Sequence, residues 1–221
     1  MRSRSVLTVV MAVAAVGCGA SVVDESNGGP GTGAATPQAT VQELVDHLEE
    51  AEFNEAAALS FPNHAELASL AEGASFSDVA GALRSESTSV SANFWAGFAQ
   101  GSATFLDGDV AIASGTKETR DGIEFSGVVV TPDGESDRTV YTREANGWRI
   151  DVFASFGAGL ASRMIEPTER LLVTLTEDAE LIRSELRLII PSLYLAAADE
   201  NLPPKLSQDL LKLIEIITRI N

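Results

Sequence analysis

The chain has 221 residues, 45% of them hydrophobic, so it has enough apolar material to bury a core and is not a disordered tail. It carries 15 Lys and Arg against 32 Asp and Glu, a formal net charge of −17. Such a surface repels nucleic-acid phosphates, so we expect no nucleic-acid function. The only cysteine is Cys18, which excludes a disulfide within the chain.

Residues 1–17 have the three parts of an export signal. Arg2 and Arg4 give a basic start, residues 6–16 form an apolar run, and the small Gly17 precedes Cys18. The run is shorter than the roughly 20 residues that a helix needs to cross a bilayer. We therefore expect a cleaved signal rather than a membrane span.

The segment Ala15-Val16-Gly17-Cys18 resembles the lipobox of bacterial lipoprotein precursors, with alanine at Ala15 where leucine is commonest in that family. The resemblance implies cleavage before Cys18, lipid on its thiol, and anchoring on the extracytoplasmic face of a cell membrane. A plain secretory signal that happens to contain a cysteine is the alternative. Residues 18–35, rich in Gly, Ser, Thr, Ala and Pro, are expected to form a flexible tether.

Helical signals dominate the chain from residue 36 to residue 101. Thr36 followed by Pro37 predicts a helix start, and Thr40 with Glu43 offers a second possible start. The apolar residues of this helix share one face: Val41, Leu44, Val45 and Leu48. Further short helices are predicted over residues 54–59, 63–72, 77–84 and 85–101.

After Gly101 the apolar period changes from near four to two. Four dipeptides suit tight hairpin turns: Asp107-Gly108, Asp121-Gly122, Asp133-Gly134 and Asn146-Gly147. Between and around them lie five predicted strands: 102–106, 109–117, 123–131, 138–144 and 148–153. Strands joined by short turns make an antiparallel meander, so the predicted fold class is α+β.

Two stretches carry a resemblance to the NTF2-like, cystatin-like cone superfamily, particularly its small bacterial lipoproteins. Residues 36–60 read as a capped helix, a break and a short alanine-rich helix, and residues 138–153 read as a closing hairpin. The likeness covers about residues 36–155 and implies N-terminal helices packed on a curved antiparallel sheet. It transfers no functional residue to this chain.

Residues 156–221 depart from the usual cone and predict a C-terminal helical hairpin. One apolar stripe has helical spacing: Leu171, Leu172, Leu175, Ala179, Ile182, Leu186, Ile189 and Ile190. Pro191 is expected to bend or end that helix, and Pro203-Pro204 to start the last one. We expect both helices to pack on the cone or on each other, and a homodimer or partner surface is the alternative.

No motif of any specificity for catalysis or metal binding is present. The two histidines, His47 and His64, lack the i, i+4 partner of a helical zinc site. The stretch Asp107-Gly108-Asp109 lacks the later ligands of a calcium loop. We therefore predict no catalytic residue, no metal and no cofactor.

Some enzymes of the cone superfamily place an Asp, Tyr or His inside the cone for proton transfer. By that resemblance the candidates are Tyr141, Asp151 and His64. Strand alternation through residues 148–152 sets Asp151 opposite the apolar side chains, so we expect Asp151 to face outward.

Two functional hypotheses remain. The first is a non-catalytic binding or interaction module, held to the membrane by lipid on Cys18, that engages a small apolar ligand or an envelope protein. Its pocket would be lined by Trp95, Phe98 and Tyr141, for which a plain core role is the alternative. The second is a cone-type enzyme doing acid–base chemistry on a small hydrophobic substrate.

Overall fold

A computed structural model describes residues 33–85, 88–101, 110–131 and 137–220. Within these residues the chain forms nine α-helices, one 3-10 turn and four strands, which confirms the α+β class. The proposed signal, Cys18 and most of the tether lie outside the described residues. So do the strand predicted over 102–106, the turns Asp107-Gly108 and Asp133-Gly134, and the stretch Asp107-Gly108-Asp109.

The helices before the sheet are α1 (Pro37–Glu49), α2 (Phe53–Ala58), α3 (His64–Ala68), the 3-10 turn Ser69–Glu72, α4 (Phe76–Ser85) and α5 (Ser89–Gly101). Helix α1 starts as its sequence predicts, because the Thr36 hydroxyl accepts the amide of Ala39 at 3.1 Å and Pro37 occupies the first turn. The second possible start, at Thr40, is wrong. Thr40 is buried inside the helix, and its hydroxyl donates to the Thr36 and Trp148 carbonyls.

The sheet is an antiparallel meander in the order β1 (Ala111–Arg120), β2 (Ile123–Thr131), β3 (Arg138–Glu144) and β4 (Trp148–Ile150). Two of the predicted hairpin turns are confirmed. Asp121-Gly122 and Asn146-Gly147 all have positive φ, as a tight hairpin turn with matching twist requires. The last strand is shorter than predicted, because helical backbone begins at Val152.

The sheet separates two apolar clusters. On one face, side chains such as Val128, Val140 and Ile150 join the main core with α1, which contacts all four strands. On the other face, Phe125 packs with Ala154 and Leu195 in a smaller cluster. The strand period of two places these sets on opposite faces.

Four helices follow the sheet instead of the expected hairpin: α6 (Val152–Val173), α7 (Glu177–Leu188), α8 (Ile190–Ala197) and α9 (Pro204–Thr218). Thr176 caps α7 and so splits the predicted stripe, and Pro191 begins α8. Most of the stripe is buried in the main core, including Ile182 and Leu186. Leu172 and Leu175 stay exposed.

The described part of the chain begins against the outer edge of β4. The Gly33 amide donates to the Asn146 carbonyl at 2.8 Å, and the Trp148 amide donates to the Ala34 carbonyl at 2.9 Å. Ala34 therefore pairs antiparallel with Trp148. A Cβ on Gly147 would lie 2.6 Å from the carbonyl carbon of Gly33, so this close approach requires glycine.

Alanine substitution at two turn glycines tests this contact. Gly122→Ala meets open space and should cost only the strain of positive φ, roughly 1 kcal/mol. Gly147→Ala carries the same strain and also displaces Gly33. Its free energy of unfolding should therefore fall by at least about 1 kcal/mol more than that of Gly122→Ala. Urea denaturation of both variants measures the difference. Equal losses would mean that residues 33 and 34 do not hold the sheet edge in solution.

Candidate functional site

Asp151 lies where the sheet passes into α6. The strand ends at Ile150, and Asp151 then caps the helix, with its Oδ1 accepting the Ala154 amide at 2.9 Å. Its own amide donates to the Tyr141 carbonyl at 2.8 Å. The expectation that Asp151 faces outward is wrong: its side chain is 0% exposed, because strand alternation stops one residue earlier.

Three side chains from distant elements surround this carboxylate, and we call the four residues Asp151, His64, Arg143 and Ser192 the Asp151 node. The Ser192 hydroxyl of α8 donates to Oδ2 at 2.7 Å. Arg143 Nη1 on β3 lies 3.4 Å from Oδ2, and His64 Nδ1 on α3 lies 3.3 Å from Oδ1. The His64 contact has ion-pair distance without hydrogen-bond geometry.

The node keeps Asp151 ionised. Burial alone would raise the pKa of Asp151, but the charge that His64 can carry, the Ala154 amide and the Ser192 hydroxyl together lower it below the ordinary 3.8. Aromatic rings enclose the cationic side: the His64 ring meets Phe61 and Phe153 edge-on, and the Arg143 guanidinium lies 3.8 Å from the Phe61 centroid.

The node has the residue types of a serine hydrolase but not their arrangement. A catalytic serine donates to histidine, which then takes its proton. Here Ser192 donates to Asp151, and the carboxylate separates the serine from His64. Ser192 is 0% and His64 3% exposed, so substrate has no access to either. The node therefore acts as a structural joint between α3, β3, α6 and α8.

A cleft of about 630 Å³ lies beside the node, on the sheet face opposite α1. We call it the Tyr141 cleft. The sheet contributes one wall, with Glu118, Arg120, Asp137, Arg138 and Tyr141. Helices α6 and α8 and the residues after α8 contribute the other wall: Ala154, Ser155, Phe156, Ala158, Leu195, Ala196, Ala198, Asp199, Glu200, Asn201 and Leu202.

Tyr141 is held firmly at the junction of these walls. The Ser155 hydroxyl of α6 accepts the Tyr141 amide at 2.9 Å, and the Tyr141 phenol donates to Glu118 Oε1 at 3.1 Å. Burial, and then the charges of Glu118 and Asp199, raise the pKa of Tyr141 to about 12, with Arg120 opposing. At neutral pH the phenol is therefore a fixed hydrogen-bond donor.

The three aromatic residues expected to line a pocket occupy different places. Tyr141 lines the cleft. Trp95 is fully buried in the main core, where its Nε1 donates to Ser60 Oγ at 3.0 Å. Phe98 lies behind the cleft, with its ring 4.7 Å from that of Phe156, which does line it. Trp95 and Phe98 therefore support the cleft from the core side.

A second groove of about 650 Å³ runs between α4, α5 and the 3-10 turn. Its lining is mostly small side chains, and its two acids already have partners. Glu72 pairs with Arg163 at 2.5 Å, and Asp78 accepts the Ser75 hydroxyl at 2.6 Å. Among the described residues, this groove has only these two charged side chains, whereas six charged side chains and a phenol line the Tyr141 cleft, so the Tyr141 cleft offers more for recognition.

Sequence reasoning missed Glu118, Asp199 and Ser192. Glu118 and Asp199 come from segments that meet Tyr141 only through the tertiary fold, and one acid among 32 carries no signal of its own. His47 on α1 is partly exposed, and its Nδ1 lies 2.8 Å from Glu52 Oε2.

Comparison of the chain with protein-family models, with curated proteins and with solved structures found no match. Within the described residues, no helix is long and apolar enough to cross a membrane. The same part of the chain holds no group of three or more His, Cys, Asp or Glu side chains placed to bind a metal ion. Function therefore has to be inferred from the cleft and the node themselves.

Substitution of Asp151 should destabilise the fold, because it removes the charge that the node surrounds. Asp151→Asn leaves His64 and Arg143 facing a neutral amide in a buried site, which we expect to cost about 3 kcal/mol in the free energy of unfolding. Asp178→Asn is the matched control, because Asp178 pairs with Arg84 at the surface, and it should cost less than about 1 kcal/mol. Urea denaturation compares them, and equal losses would refute a structural role for the node.

The stability difference between the native chain and Asp151→Asn should depend on pH. Because folding lowers the pKa of Asp151, the ionised carboxylate stabilises the fold above pH 3.8 and loses this effect as the pH falls through its folded value. The stability difference between the native chain and Asp151→Asn should therefore hold from pH 7 to about pH 5 and shrink as the pH falls below 3.8. Denaturation at several pH values measures it. A difference that stays constant would contradict an ionised Asp151.

Proposed function

We propose that this protein is a lipid-anchored, extracytoplasmic module that binds a small molecule in the Tyr141 cleft without transforming it. The observation that carries the proposal is the cleft itself. About 630 Å³ is in the size range of small-molecule sites, and a fixed phenol and charged side chains converge on it beside apolar side chains. This combination supplies both contact area and orientation.

The chemistry of the candidate residues favours binding over catalysis. A general base is most effective when its pKa is near the working pH. Tyr141, with its pKa raised to about 12, stays protonated at neutral pH and is a poor base, and its phenol proton is already donated to Glu118. Asp151 and His64 are sealed in the node and cannot reach a substrate in the cleft. The enzyme hypothesis would need a proton-transfer group among the acids that line the cleft, such as Glu118 or Asp199.

The anchoring part of the proposal rests on the signal and lipobox resemblance at residues 1–18. In an anchored chain, the Gly33 contact with the β4 edge would fix where the tether joins the fold. The intervening residues 19–32 would reach at most roughly 50 Å when fully extended. The domain would then work within that distance of the membrane surface.

The likeness to the NTF2-like cone is also part of the proposal. It is supported by α1, which contacts all four strands of an antiparallel meander. Helices α6 to α9 are additional to that cone. In this interpretation they supply the second wall of the cleft, which the sheet alone does not have.

Replacement of the proposed lipid site tests the anchor. Cys18→Ser should move the protein from the membrane fraction to the soluble fraction of its own cells, because one acyl-modified cysteine is the proposed attachment. Immunoblotting of the two fractions reports the change. Ser21→Ala, three residues away, is the control and should leave the protein membrane-bound. A Cys18→Ser protein that remains membrane-bound would refute lipid anchoring.

Native mass spectrometry of the full chain purified from its own cells tests the cleft. We expect the protein to carry one bound ligand, seen as a stoichiometric extra mass. Ala158→Trp should abolish this mass because the indole fills the cleft. Ser162→Trp, on an exposed position of the same helix, is the matched control and should keep the mass. A mass that survives Ala158→Trp would place the ligand elsewhere, and a bare chain in every sample would count against the proposed function.

A further inference from the structure

The two walls of the Tyr141 cleft differ in chemistry. The helical wall presents carbon surface from side chains such as Phe156, Ala158 and Leu202. The charged side chains come from the sheet side, with Glu118, Arg120, Asp137 and Arg138, and from the residues after α8, with Asp199 and Glu200. A ligand that satisfies both walls must have an apolar body and a charged or polar end.

The charged end of the ligand should be a cation, because acids outnumber bases in the lining of the cleft. The cleft is lined by four carboxylates, those of Glu118, Asp137, Asp199 and Glu200, and by two guanidinium groups, those of Arg120 and Arg138. The lining is therefore net negative by two charges, within a chain that is itself at −17. Both the local and the overall field attract cations and raise their local concentration.

The acids closest to Tyr141 are oriented by neutral donors. The Tyr141 phenol donates to Glu118, and the Asn201 amide donates to Asp199 at 2.9 Å. A neutral donor fixes a carboxylate without cancelling its charge. The charges that act on Tyr141 are those of two carboxylates, Glu118 and Asp199, and one guanidinium, Arg120, so the balance at this point favours a cationic group over an anionic one.

We propose that the Tyr141 cleft takes an amphiphilic cation, an ammonium group on a small apolar body, with the cation at Glu118 and Asp199 and the body against the α6 and α8 wall. This inference rests on the proposed function and adds the ligand class. It replaces the small apolar ligand expected from the sequence, because six charged side chains line the cleft.

Three probes of equal size and different charge test the ligand class: 3-phenylpropylammonium, 3-phenylpropanol and 3-phenylpropanoate. Isothermal titration calorimetry of the full chain should give the cation an affinity roughly tenfold above that of the alcohol, and no measurable binding of the carboxylate. Glu118→Gln keeps an acceptor for the Tyr141 phenol and removes only charge. This variant should lower the affinity for the cation by about three- to tenfold, and Asp199→Asn should lower it by a similar factor. Glu55→Gln, an exposed acid on α2 away from the cleft, should change nothing.

The outcomes separate this inference from the proposed function. Equal binding of cation and alcohol, or tightest binding of the carboxylate, would overturn the ligand class while leaving the cleft as a binding site. Cation binding that is unchanged in both Glu118→Gln and Asp199→Asn would also overturn it. If none of the probes binds, the inference fails, and the co-purified mass that Ala158→Trp abolishes would still uphold the proposed function.

Discussion

A single buried carboxylate joins the parts of this molecule that are far apart in sequence. Asp151 ends the sheet, caps α6, accepts the hydroxyl of Ser192 on α8 and faces His64 and Arg143. Removing a buried charge from water is costly unless it is paired and hydrogen-bonded. Because each partner lies on a different element, the position that satisfies Asp151 also fixes how α3, β3, α6 and α8 meet.

The Tyr141 cleft depends on this joint. Its helical wall comes from α6 and α8, which Asp151 and Ser192 hold together beside the sheet. Ser155, one turn after Asp151 on α6, fixes the backbone of Tyr141. Close packing at Gly157, where a Cβ would lie 3.2 Å from Leu193, adds a second constraint on the same helix pair. A rigid joint and an open cleft are thus adjacent, which suits a site that binds by pre-organised contacts.

Features set by neighbouring residues could be predicted from the sequence. Thr36-Pro37 starts α1, and Asp121-Gly122 and Asn146-Gly147 turn the chain between strands, because capping and positive φ are local properties. The role of Asp151 could not be predicted, because strand alternation and helix capping give opposite directions for its side chain. The partner that decides between them, Ser192, lies 41 residues away. Of the three residues expected to line a pocket only Tyr141 does so, for the same reason, since the two walls of the cleft come from separate parts of the chain.

Amide hydrogen exchange of Asp151→Asn tests most directly whether this carboxylate holds the cleft together. We expect the largest increase in exchange in residues 190–197 of α8 and at the start of α6, where the hydroxyl bridge and the helix cap are lost. Residues 37–49 of α1, which pack on the opposite face of the sheet, should lose protection only as far as the global free energy of unfolding falls. Unchanged exchange in α8, or an increase in α8 no larger than in α1, would contradict a specific role for Asp151 in forming the wall of the cleft.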